Sequence, residues 1–359
     1  MKKILLASRS QFSGKSAIAI GLGLTLAEEG HKIGYFKPIG RKFQFGDGKE
    51  LDHDALVVTQ ALKLSEAPED LCPVLLDRDF VLKDIDDGKR KEILDKIKTA
   101  FDKVSQGKDI MILEGQRRNY DLTSIGLSNP IVAKQLDVKG LLFTSGQSFN
   151  LIDDIFLSKE HFKKDEADLS GVILNNVANY AVPLIKNDFA PVIKKRADLD
   201  VIGVIPWDTK LISPMVKEVF QRLGGNVLEK GSEESQIRLC ENVFVGAMAP
   251  DAALKFFRRT NNNLVITGGD RPDLIVAALE IPNTSCIVLT GNLMPRNRIL
   301  AVAREKKIPV VLIPHDTHSA SGLVRNTTGY VSAENQEKLN HAKKTVKKNV
   351  DIKKLLDIF

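Results

Sequence analysis

The stretch that organises the chain reads Lys3-Ile4-Leu5-Leu6-Ala7-Ser8, then Arg9-Ser10-Gln11-Phe12-Ser13-Gly14-Lys15-Ser16, then an apolar run from Ala17 to Ala27. In order, these residues predict a short buried strand, a loop of small and polar residues, and a helix that starts at Gly-Lys-Ser. The backbone N–H groups of such a loop and of the first helical turn point to one place and bind phosphate. The stretch therefore predicts a phosphate-binding loop.

The Gly-Lys-Ser segment assigns chemistry to individual side chains. Lys15 is expected to neutralise the β- and γ-phosphates of a nucleotide, and the Ser16 hydroxyl to ligate Mg²⁺. The sequence departs from the motif G-x-x-x-x-G-K-[ST] at Arg9, which stands where the first glycine belongs. The alternative is that Gly14 only lets the helix pack closely on the first strand, and the strand-loop-helix context favours phosphate binding over it. The predicted nucleotide contacts in this loop are Ser13, Gly14, Lys15, Ser16 and Ala17.

Length and composition are those of an ordinary globular protein. With 359 residues, of which 43% are hydrophobic and 27% charged, the chain is long enough for two domains with substantial cores. We find no signal peptide and no apolar run of about 18 residues, so we expect a cytoplasmic protein without a membrane partner. Cys72, Cys240 and Cys286 lack disulfide or metal-ligand spacing and are expected to be reduced, buried thiols.

The basic balance of the chain does not by itself indicate nucleic acid. The formal net charge is +6, and much of the excess lies in the tail between Lys343 and Lys354. A solvated helical face explains such a lysine run better than a nucleic-acid contact does. We therefore expect no nucleic-acid partner.

Apolar strands and amphipathic helices alternate from Met1 to about Asn226. Strands are predicted at 32–36, 109–113, 139–143, 171–174 and 201–205, and helices at 55–64, 86–106, 130–136, 151–162, 184–195 and 214–223. Continuous apolar strands are typical of sheets that are covered on both faces. The pattern predicts an α/β fold with a doubly wound, mainly parallel sheet, whose sites lie at the carboxyl ends of the strands.

Informative side chains follow several of these strands. Lys37, held in an irregular loop by Pro38, is a candidate second cation facing the phosphates. Glu114, next to Gly115, is a candidate Mg²⁺ ligand. Asn175 carries an amide that could read a purine edge. Taken singly, each is equally compatible with a salt bridge, a turn carboxylate or a capping amide, but their joint position at strand ends favours a nucleotide site.

Six motifs occur in the order found in dethiobiotin synthetase and the related cobyrinic acid amide synthases. They are Gly14-Lys15-Ser16, Phe36-Lys37-Pro38, Asp52-His53-Asp54, Glu114-Gly115, Gly171-Val172-Ile173-Leu174-Asn175 and Ile202-Gly203-Val204-Ile205-Pro206. More closely, the chain resembles the dethiobiotin-synthetase-like amino-terminal region of phosphotransacetylases, which also exists alone. The resemblance implies a P-loop NTPase domain that uses ATP and Mg²⁺ and assembles as a homodimer.

The resemblance also implies roles for individual residues of this chain. Lys15 and Lys37 would contact the phosphates and would be the catalytic residues of an enzyme. Adenine would be recognised by Asn175. The implied Mg²⁺ ligands are Ser16, Asp54 and Glu114.

The segment after Glu114 departs from the synthetases. They continue Glu-Gly-Ala-Gly-Gly, whereas this chain has Gln116-Arg117-Arg118-Asn119 after Gly115. This difference makes carboxylation of a diamine an unfavoured prediction, whereas the prediction of nucleotide binding does not depend on it. Two function classes stay open: a Mg-ATP-binding regulatory protein, and an ATP-dependent ligase that activates a carboxylate or carbamate. The acetyltransferase catalytic domain would require residues beyond Phe359, so acetyl transfer is not expected of this chain alone.

A second, smaller α/β domain is predicted at 235–330, after a first domain at 1–228 and a charged linker at 228–234. A Lys-rich carboxyl-terminal helix is predicted at 331–359. Two strands of the second domain end in Thr-Gly turns, and a third runs into Pro314-His315-Asp316. The segment is similar to the DRTGG domain of phosphotransacetylases, which implies a regulatory role.

The strand ends of this second domain suggest one pocket for a small-molecule effector. The alternative is that the glycines serve only to make tight turns. The predicted ligand residues are Thr267, Gly268, Gly269, Asp270, Arg271, Thr290, Gly291, Asn292 and Asp316. Expected protein partners are a second copy of the chain and a phosphotransacetylase or another metabolic enzyme.

Overall fold

A computed structural model describes residues 1–10, 13–44, 50–77, 79–82, 85–145 and 150–359. Gln11 and Phe12 of the predicted loop lie outside the described residues. The chain divides into two compact units, one formed by residues 1–208 with 331–359 and the other by residues 209–330.

The strands are β1 (Lys2–Ser8), β2 (Ile33–Phe36), β3 (Ile39–Arg41), β4 (Phe43–Gln44), β5 (Glu50–Leu51), β6 (Val74–Leu76), β7 (Ile110–Glu114), β8 (Lys139–Ser145), β9 (Leu169–Val177), β10 (Asp200–Pro206), β11 (Asn226–Glu229), β12 (Asn242–Val245), β13 (Asn263–Gly268), β14 (Thr284–Thr290) and β15 (Val310–Leu312).

The helices are α1 (Lys15–Glu28), α2 (His53–Leu62), α3 (Pro68–Leu71), α4 (Asp87–Val104), α5 (Asn129–Leu136), α6 (Asn150–Lys164), α7 (Val182–Leu184), α8 (Ala190–Ala197), α9 (Thr209–Ile212), α10 (Val216–Leu223), α11 (Glu233–Gln236), α12 (Pro250–Phe257), α13 (Pro272–Glu280), α14 (Asn297–Glu305), α15 (Thr317–Arg325), α16 (Gln336–Asn349) and α17 (Ile352–Ile358).

The first unit is built on a six-stranded parallel sheet in the order β10-β9-β8-β1-β7-β2. Apolar side chains of α4, α5, α6 and α8 cover one face, and those of α1, α16 and α17 cover the other. The strands are continuously apolar because both faces are buried. The predicted doubly wound sheet is therefore confirmed, and its order places the end of β1 between the ends of β7 and β8.

The Lys-rich carboxyl-terminal segment forms two helices of the first unit. A Cβ atom on Gly21 of α1 would lie 2.6 Å from Val346 Cγ2 and 2.8 Å from the Ala342 carbonyl oxygen, so glycine allows α16 to pack closely on α1. Lys343 and Lys347 form ion pairs with Glu28. Part of the basic charge of the tail is thus paired within the first unit.

The second unit has a five-stranded sheet in the order β11-β15-β14-β13-β12, in which only β11 is antiparallel to its neighbour. Helices α12, α13 and α14 pack on one face, and α10 and α15 on the other.

The boundary between the units differs from the predicted one. Residues 209–228, predicted to belong to the first domain, contribute α10 and most of β11 to the second unit. The predicted linker 228–234 is also structured. Glu229 lies in β11 and forms an ion pair with Arg304 over 3.0 Å, and Ser232 caps α11. Because β11 is a half-exposed edge strand, its sequence is polar and charged, and that composition is typical of a linker.

The predicted helix at 184–195 is interrupted. Val182–Leu184 is a single α-turn, Ile185–Phe189 is a π-helical turn, and α8 follows it. Pro191 lacks the N–H group that a continuous helix requires at this position, which explains the departure from α-geometry in the turn before it.

Candidate functional site

The loop between β1 and α1 is shaped by one glycine and one asparagine. Gly14 has a φ of +81° and precedes α1, and a Cβ atom there would collide with the Asn175 side-chain nitrogen. Asn175 Nδ2 donates a hydrogen bond of 2.7 Å to the Ser13 carbonyl oxygen. Position 14 therefore requires glycine for both its φ and its contact, and Asn175 at the end of β9 holds the loop. An adenine contact by Asn175 would have to use the rest of its amide.

Two further contacts tie the loop to the sheet. Ser8 Oγ lies 2.7 Å from Ser13 Oγ and 2.5 Å from the Ser10 carbonyl oxygen. The Asn119 backbone N–H donates to the Ser8 carbonyl oxygen over 2.6 Å. The loop is thereby fixed to the end of β1 and to the segment that follows β7.

Glu114, at the end of β7, connects the loop helix to the neighbouring strand. Ser16 Oγ donates to Glu114 Oε1 over 2.8 Å, and the Tyr35 hydroxyl donates to Glu114 Oε2 over 2.9 Å. Burial raises the pKa of Glu114, while the charge of Lys37 opposes that rise. Burial, followed by the charge of Glu114, raises the pKa of Tyr35 well above its usual value. Tyr35 therefore stays a proton donor that orients the carboxylate.

Lys37 is held between two aspartates. Its Nζ lies 2.9 Å from Asp52 Oδ1 and 2.7 Å from Asp54 Oδ2. Burial alone would lower the pKa of Lys37, but the charges of Glu114, Asp54 and Asp52 outweigh it and raise that pKa. Lys37 is consequently charged at every physiological pH.

Asp52 positions this ion pair through the backbone. Its Oδ1 accepts the Ala55 N–H at the start of α2 over 2.9 Å, and its Oδ2 accepts the Arg41 N–H over 2.7 Å. A side chain that caps α2 and also binds Lys37 fixes the ammonium relative to the helix.

Lys15 differs from Lys37 in having no such partner. Its side chain is buried, yet its ammonium group makes no hydrogen bond or ion pair within the described part of the chain. Burial lowers the pKa of Lys15 to about 8; Glu114 and Asp54 oppose this effect, and Lys37 adds to it. A buried cation without a direct ion pair is costly, and a bound anion would lower that cost.

The predicted Mg²⁺ ligands form two separate contacts. Ser16 pairs with Glu114, whereas Asp54 pairs with Lys37, which counters the effect of burial and lowers the pKa of Asp54. Hydroxyl and carboxylate oxygens are ligands that Mg²⁺ prefers, usually together with substrate phosphates and water. Within the described ranges, no cluster of three or more His, Cys, Asp or Glu side chains is arranged to hold a metal by itself. The donor set thus fits a cation that a nucleotide brings with it.

The segment after Glu114 is held rigidly. Gln116 donates its side-chain amide to the Leu127 carbonyl oxygen over 2.7 Å and its backbone N–H to Asn129 Oδ1 over 2.9 Å. Arg118 forms an ion pair with Asp121 over 2.9 Å. The side chains of Gln116 and Arg118 are therefore already engaged in contacts within the chain.

Arg117 and Arg41 carry the remaining positive charge near this segment. Arg117 is exposed. Burial lowers the pKa of Arg41, and the charge of Arg117 adds to that effect. Of the polar stretch that distinguishes this chain from the synthetases, Arg117 is the cation left to meet a ligand or a partner.

The Thr-Gly turns of the second unit lie at neighbouring strand ends, as predicted. Gly268 pairs with Thr290 across β13 and β14. The Gly291 N–H donates to the His315 carbonyl oxygen over 2.8 Å, and Thr290 Oγ1 lies 2.9 Å from Thr317 Oγ1. The backbone of the three strand ends is therefore brought together.

Two of the three charged side chains predicted for this second site, Asp316 and Arg271, are engaged within the chain, whereas Asp270 is exposed. Asp316 caps α15 by accepting the N–H groups of His318 and Ser319 and the Ser319 hydroxyl, whose hydrogen bond lowers the pKa of Asp316 to about 2. Arg271 pairs with Asp273 over 2.9 Å. Thr267 is buried, and its hydroxyl has no partner among the described residues.

Sequence reasoning did not assign three residues that the structure places at the first site: Tyr35, Asp52 and Asn119. Each acts across the sheet or through the backbone, so its role depends on contacts distant in sequence. The sequence signals were a tyrosine inside an apolar strand for Tyr35, the Asp52-His53-Asp54 motif for Asp52 and the polar stretch after Gly115 for Asn119, and none of them specified a contact. The cysteine prediction is confirmed, since Cys72, Cys240 and Cys286 are free and buried. Among the described residues, no helix combines the length and apolar character needed to span a membrane.

Two family matches cover most of the chain. Residues 2–215 match the family described as an AAA domain, and residues 218–327 match the DRTGG domain. Both agree with the resemblance that the motifs indicate. The matches divide the chain between 215 and 218, nearer to the observed boundary between the units than to the predicted one at 228.

The chain is also similar to curated and solved proteins. The phosphate acetyltransferase of Pseudomonas putida is 25% identical over 346 residues, which cover 90% of this chain and 47% of that protein. The chain thus spans about half the length of the curated relatives it matches. Two solved structures are less similar: the CBS and DRTGG domains of a Clostridium perfringens pyrophosphatase (20% identity, 45% of this chain, 74% of that chain, TM-score 0.30) and MinD of Pyrococcus horikoshii (16% identity, 58% of this chain, 83% of that chain, TM-score 0.35).

Proposed function

Because the chain belongs to the AAA-domain family of P-loop proteins and carries a DRTGG domain, we propose that it is a Mg-ATP-binding regulatory protein of the kind found at the amino end of phosphate acetyltransferases. The first unit would bind ATP at the Gly14 loop, in the cytoplasm. The second would bind a small-molecule effector at its Thr-Gly strand ends.

One observation carries the nucleotide proposal. Lys15 is buried beside the Gly14 loop with its ammonium group unpaired among the described residues, although Glu114, Lys37 and Asp54 are close enough to influence its charge. A protein that kept this lysine for structure alone would be expected to pair it, because an unpaired buried charge is costly. Phosphate oxygens at the loop would supply the missing counter-ion.

The other groups divide the remaining work. Ser16 and Glu114, with Asp54, would hold the Mg²⁺ that accompanies ATP, and this ion would neutralise phosphate charge. Lys37 is the second cation of the site, kept in position by Asp52. Tyr35 holds the second oxygen of Glu114 and so keeps the first directed to Ser16.

The segment after Glu114 favours regulation over the ligase alternative. A ligase of the dethiobiotin synthetase type needs room for a second substrate next to the phosphates, and small residues provide it there. In this chain Gln116 is buried and Arg118 is paired with Asp121. Arg117 is exposed and has no ion pair among the described residues, so it is available to contact phosphate or an acidic group of a second copy, which supports the proposed homodimer. The proposed protein partner, which would recognise the ligand-bound conformation, is a phosphate acetyltransferase or another metabolic enzyme.

Calorimetric titration with ATP, with and without Mg²⁺, tests the proposal. Lys15→Ala should weaken ATP binding by about 1.5–3 kcal/mol, or roughly tenfold to a hundredfold. Lys96→Ala, which changes an exposed lysine of α4, is the matched control and should leave the affinity unchanged. Equal affinity of the Lys15 variant and the wild type would refute the site. ATP turnover dependent on an added carboxylic acid, with Lys15 and Lys37 required, would move the assignment to the ligase.

A further inference from the structure

Two cysteines of the second unit lie side by side in its core. Cys240 Sγ is 3.8 Å from Cys286 Sγ, although the two residues are 46 positions apart in sequence. Cys240 is 2% exposed, Cys286 is fully buried, and both are free thiols. A disulfide would require the two sulfur atoms to approach to about 2.05 Å. The two thiols are therefore in contact but not bonded.

The backbone next to the pair is fixed by hydrogen bonds. Ser285, which precedes Cys286 in β14, donates its hydroxyl to the Leu239 carbonyl oxygen over 2.6 Å. The Cys240 N–H donates to the Pro214 carbonyl oxygen over 2.8 Å. Since the neighbours of the two cysteines are hydrogen-bonded to each other, the fold itself keeps the thiols in contact.

Cys72 in the first unit provides an internal comparison. It is also a free cysteine, and it is 4% exposed. Its Sγ lies 3.8 Å from the Val74 carbonyl oxygen and makes no contact with a thiol among the described residues. A second thiol at contact distance makes the closing step of disulfide formation intramolecular, which favours it strongly. The pair in the second unit has this advantage, and Cys72 does not.

We propose that Cys240 and Cys286 form a reversible disulfide when the chain meets hydrogen peroxide. One thiol loses its proton, and its sulfur attacks a peroxide oxygen, so that the O–O bond breaks and a sulfenic acid and hydroxide form. The other sulfur then attacks the sulfenic sulfur, and the S–O bond breaks. Each hydroxide takes up one thiol proton. The peroxide is thus reduced to two molecules of water, and the two sulfurs are oxidised to one disulfide.

Burial determines when this reaction occurs. The contact with Cys286, followed by burial, raises the pKa of Cys240 well above its usual value, so the reactive thiolate is scarce while the unit is closed. Local opening of the unit exposes the thiols to water and to the oxidant. The reaction is therefore slow in the closed unit and faster in the open one. Once formed, the disulfide holds Cys240 against β14 and opposes further opening.

Thiol counting on the full chain tests the proposal without any variant. After treatment with hydrogen peroxide, titration in denaturant should find one thiol where the reduced chain has three. Mass spectrometry should show a chain lighter by two hydrogen atoms, with Cys240 and Cys286 in one linked peptide pair. Dithiothreitol should reverse both changes. Three thiols that persist after the treatment, or oxidation of Cys72 before the pair, would overturn the proposal.

Mild denaturant tests the role of opening. Urea below the unfolding transition raises the population of locally open states, so it should speed up the loss of the two thiols severalfold. A rate that does not change with urea would contradict the dependence on opening.

Variants then identify the bonded residues. Cys240→Ala and Cys286→Ala should each abolish the internal disulfide. Cys72→Ala, the matched change at a buried cysteine without a thiol neighbour, should leave its formation unchanged. Melting curves of the reduced chains show whether each variant is folded. An internal disulfide that persists in either pair variant, or that is lost in the Cys72 variant, would overturn the assignment.

The effect of the bond on the fold has its own measurement. The oxidised wild-type chain should melt roughly 10 °C higher than the reduced one, because the crosslink restricts the unfolded chain. The shift should be absent in Cys240→Ala. An oxidised chain that melts at the same or a lower temperature would show that the bond does not oppose opening. None of these measurements involves ATP, so their outcome is independent of the proposed nucleotide site.

Discussion

Both units have Gly-containing loops at the carboxyl ends of parallel strands, but the two sets of loops differ in whether their charged side chains have partners within the chain. In the first unit, Lys15 is buried without a partner among the described residues, close to Glu114 and Lys37. In the second, Asp316 caps a helix and Arg271 pairs with its neighbour Asp273. Position at a strand end is therefore not enough to define a charged site. What distinguishes the first unit is a buried cation, Lys15, that makes no direct hydrogen bond or ion pair with the described residues.

The comparison also distinguishes two kinds of ligand. A site with an unpaired cation and carboxylates suits phosphates with a divalent ion. Since Arg271 and Asp316 are already engaged, the loops of the second unit would have to bind a ligand mainly through backbone groups, such as those around Thr290 and Gly291. If the second unit takes an effector, we expect a contribution from the buried Thr267 hydroxyl, which has no partner among the described residues.

Apart from Lys15→Ala, the largest effect is expected from the carboxylates of the first unit. With Mg²⁺ present, Asp54→Ala and Glu114→Gln should each weaken ATP binding by about 2 kcal/mol, or roughly thirtyfold. Without Mg²⁺ the same changes should leave binding equal or tighter, because carboxylates repel phosphates. Titrations of both variants with and without the ion measure this, with Asp95→Ala on the surface of α4 as the control. Equal losses in both conditions would mean that these groups form only salt bridges.

A smaller effect is expected from Tyr35→Phe. The change removes the hydrogen bond to Glu114 Oε2 and leaves a buried oxygen without its donor. We expect a loss of about 1 kcal/mol in the free energy of unfolding and a roughly fivefold weaker affinity for Mg-ATP. Urea unfolding and calorimetry measure the two quantities. A variant that loses stability but keeps the full Mg²⁺ dependence would show that Tyr35 does not orient the carboxylate.

The sequence predicted the parts of this site that depend on local pattern. Periodicity located β1 and α1, and a parallel sheet necessarily gathers the residues that follow its strands, such as Lys37 and Glu114. Pairings between strands could not be read in this way. Tyr35 and Glu114 are 79 positions apart, and nothing near either residue specifies their hydrogen bond.

The same limit explains the domain boundary. Strand β11 pairs with β15, which lies some eighty residues later, so its half-polar sequence reads as a linker until the partner is known. The docking of α16 on α1 depends on Gly21, which in sequence is only a weak helix position. Asn175 lies inside β9, which extends to Val177, beyond the predicted strand 171–174, and its contact with the carbonyl oxygen of Ser13 is visible only in three dimensions.

Coupling between the two units, if it exists, should produce a modest effect. If an effector changes the affinity for ATP by some factor, ATP must change the affinity for the effector by the same factor. We expect ATP to alter amide hydrogen exchange at 268–271 and 290–292 by about 1 kcal/mol in protection, and sedimentation to show a dimer. A monomer without ATP-dependent protection in these loops would remove the basis of the regulatory proposal and favour the ligase.

The smallest effect on ATP is expected from Asp316. Because its pKa is lowered to about 2 in the folded chain, its stabilising contribution is complete above its unfolded pKa and is lost as the pH falls towards 2. Asp316→Asn keeps a helix-capping oxygen but removes this titration, so thermal unfolding should depend less steeply on pH below about 4, with ATP affinity unchanged. A variant with weaker ATP binding would contradict the separation of the two sites.

The protonation of Lys15 tests the central claim most directly. Its lowered pKa of about 8 means that the ammonium group is charged below that pH and largely neutral well above it. Calorimetry of Mg-ATP binding at about pH 7 and about pH 9, in buffers of different ionisation enthalpy, should show weaker binding and uptake of a proton at the higher pH. Both effects should disappear in Lys15→Ala. Affinity and proton uptake that are independent of pH, or that persist in the variant, would contradict the account.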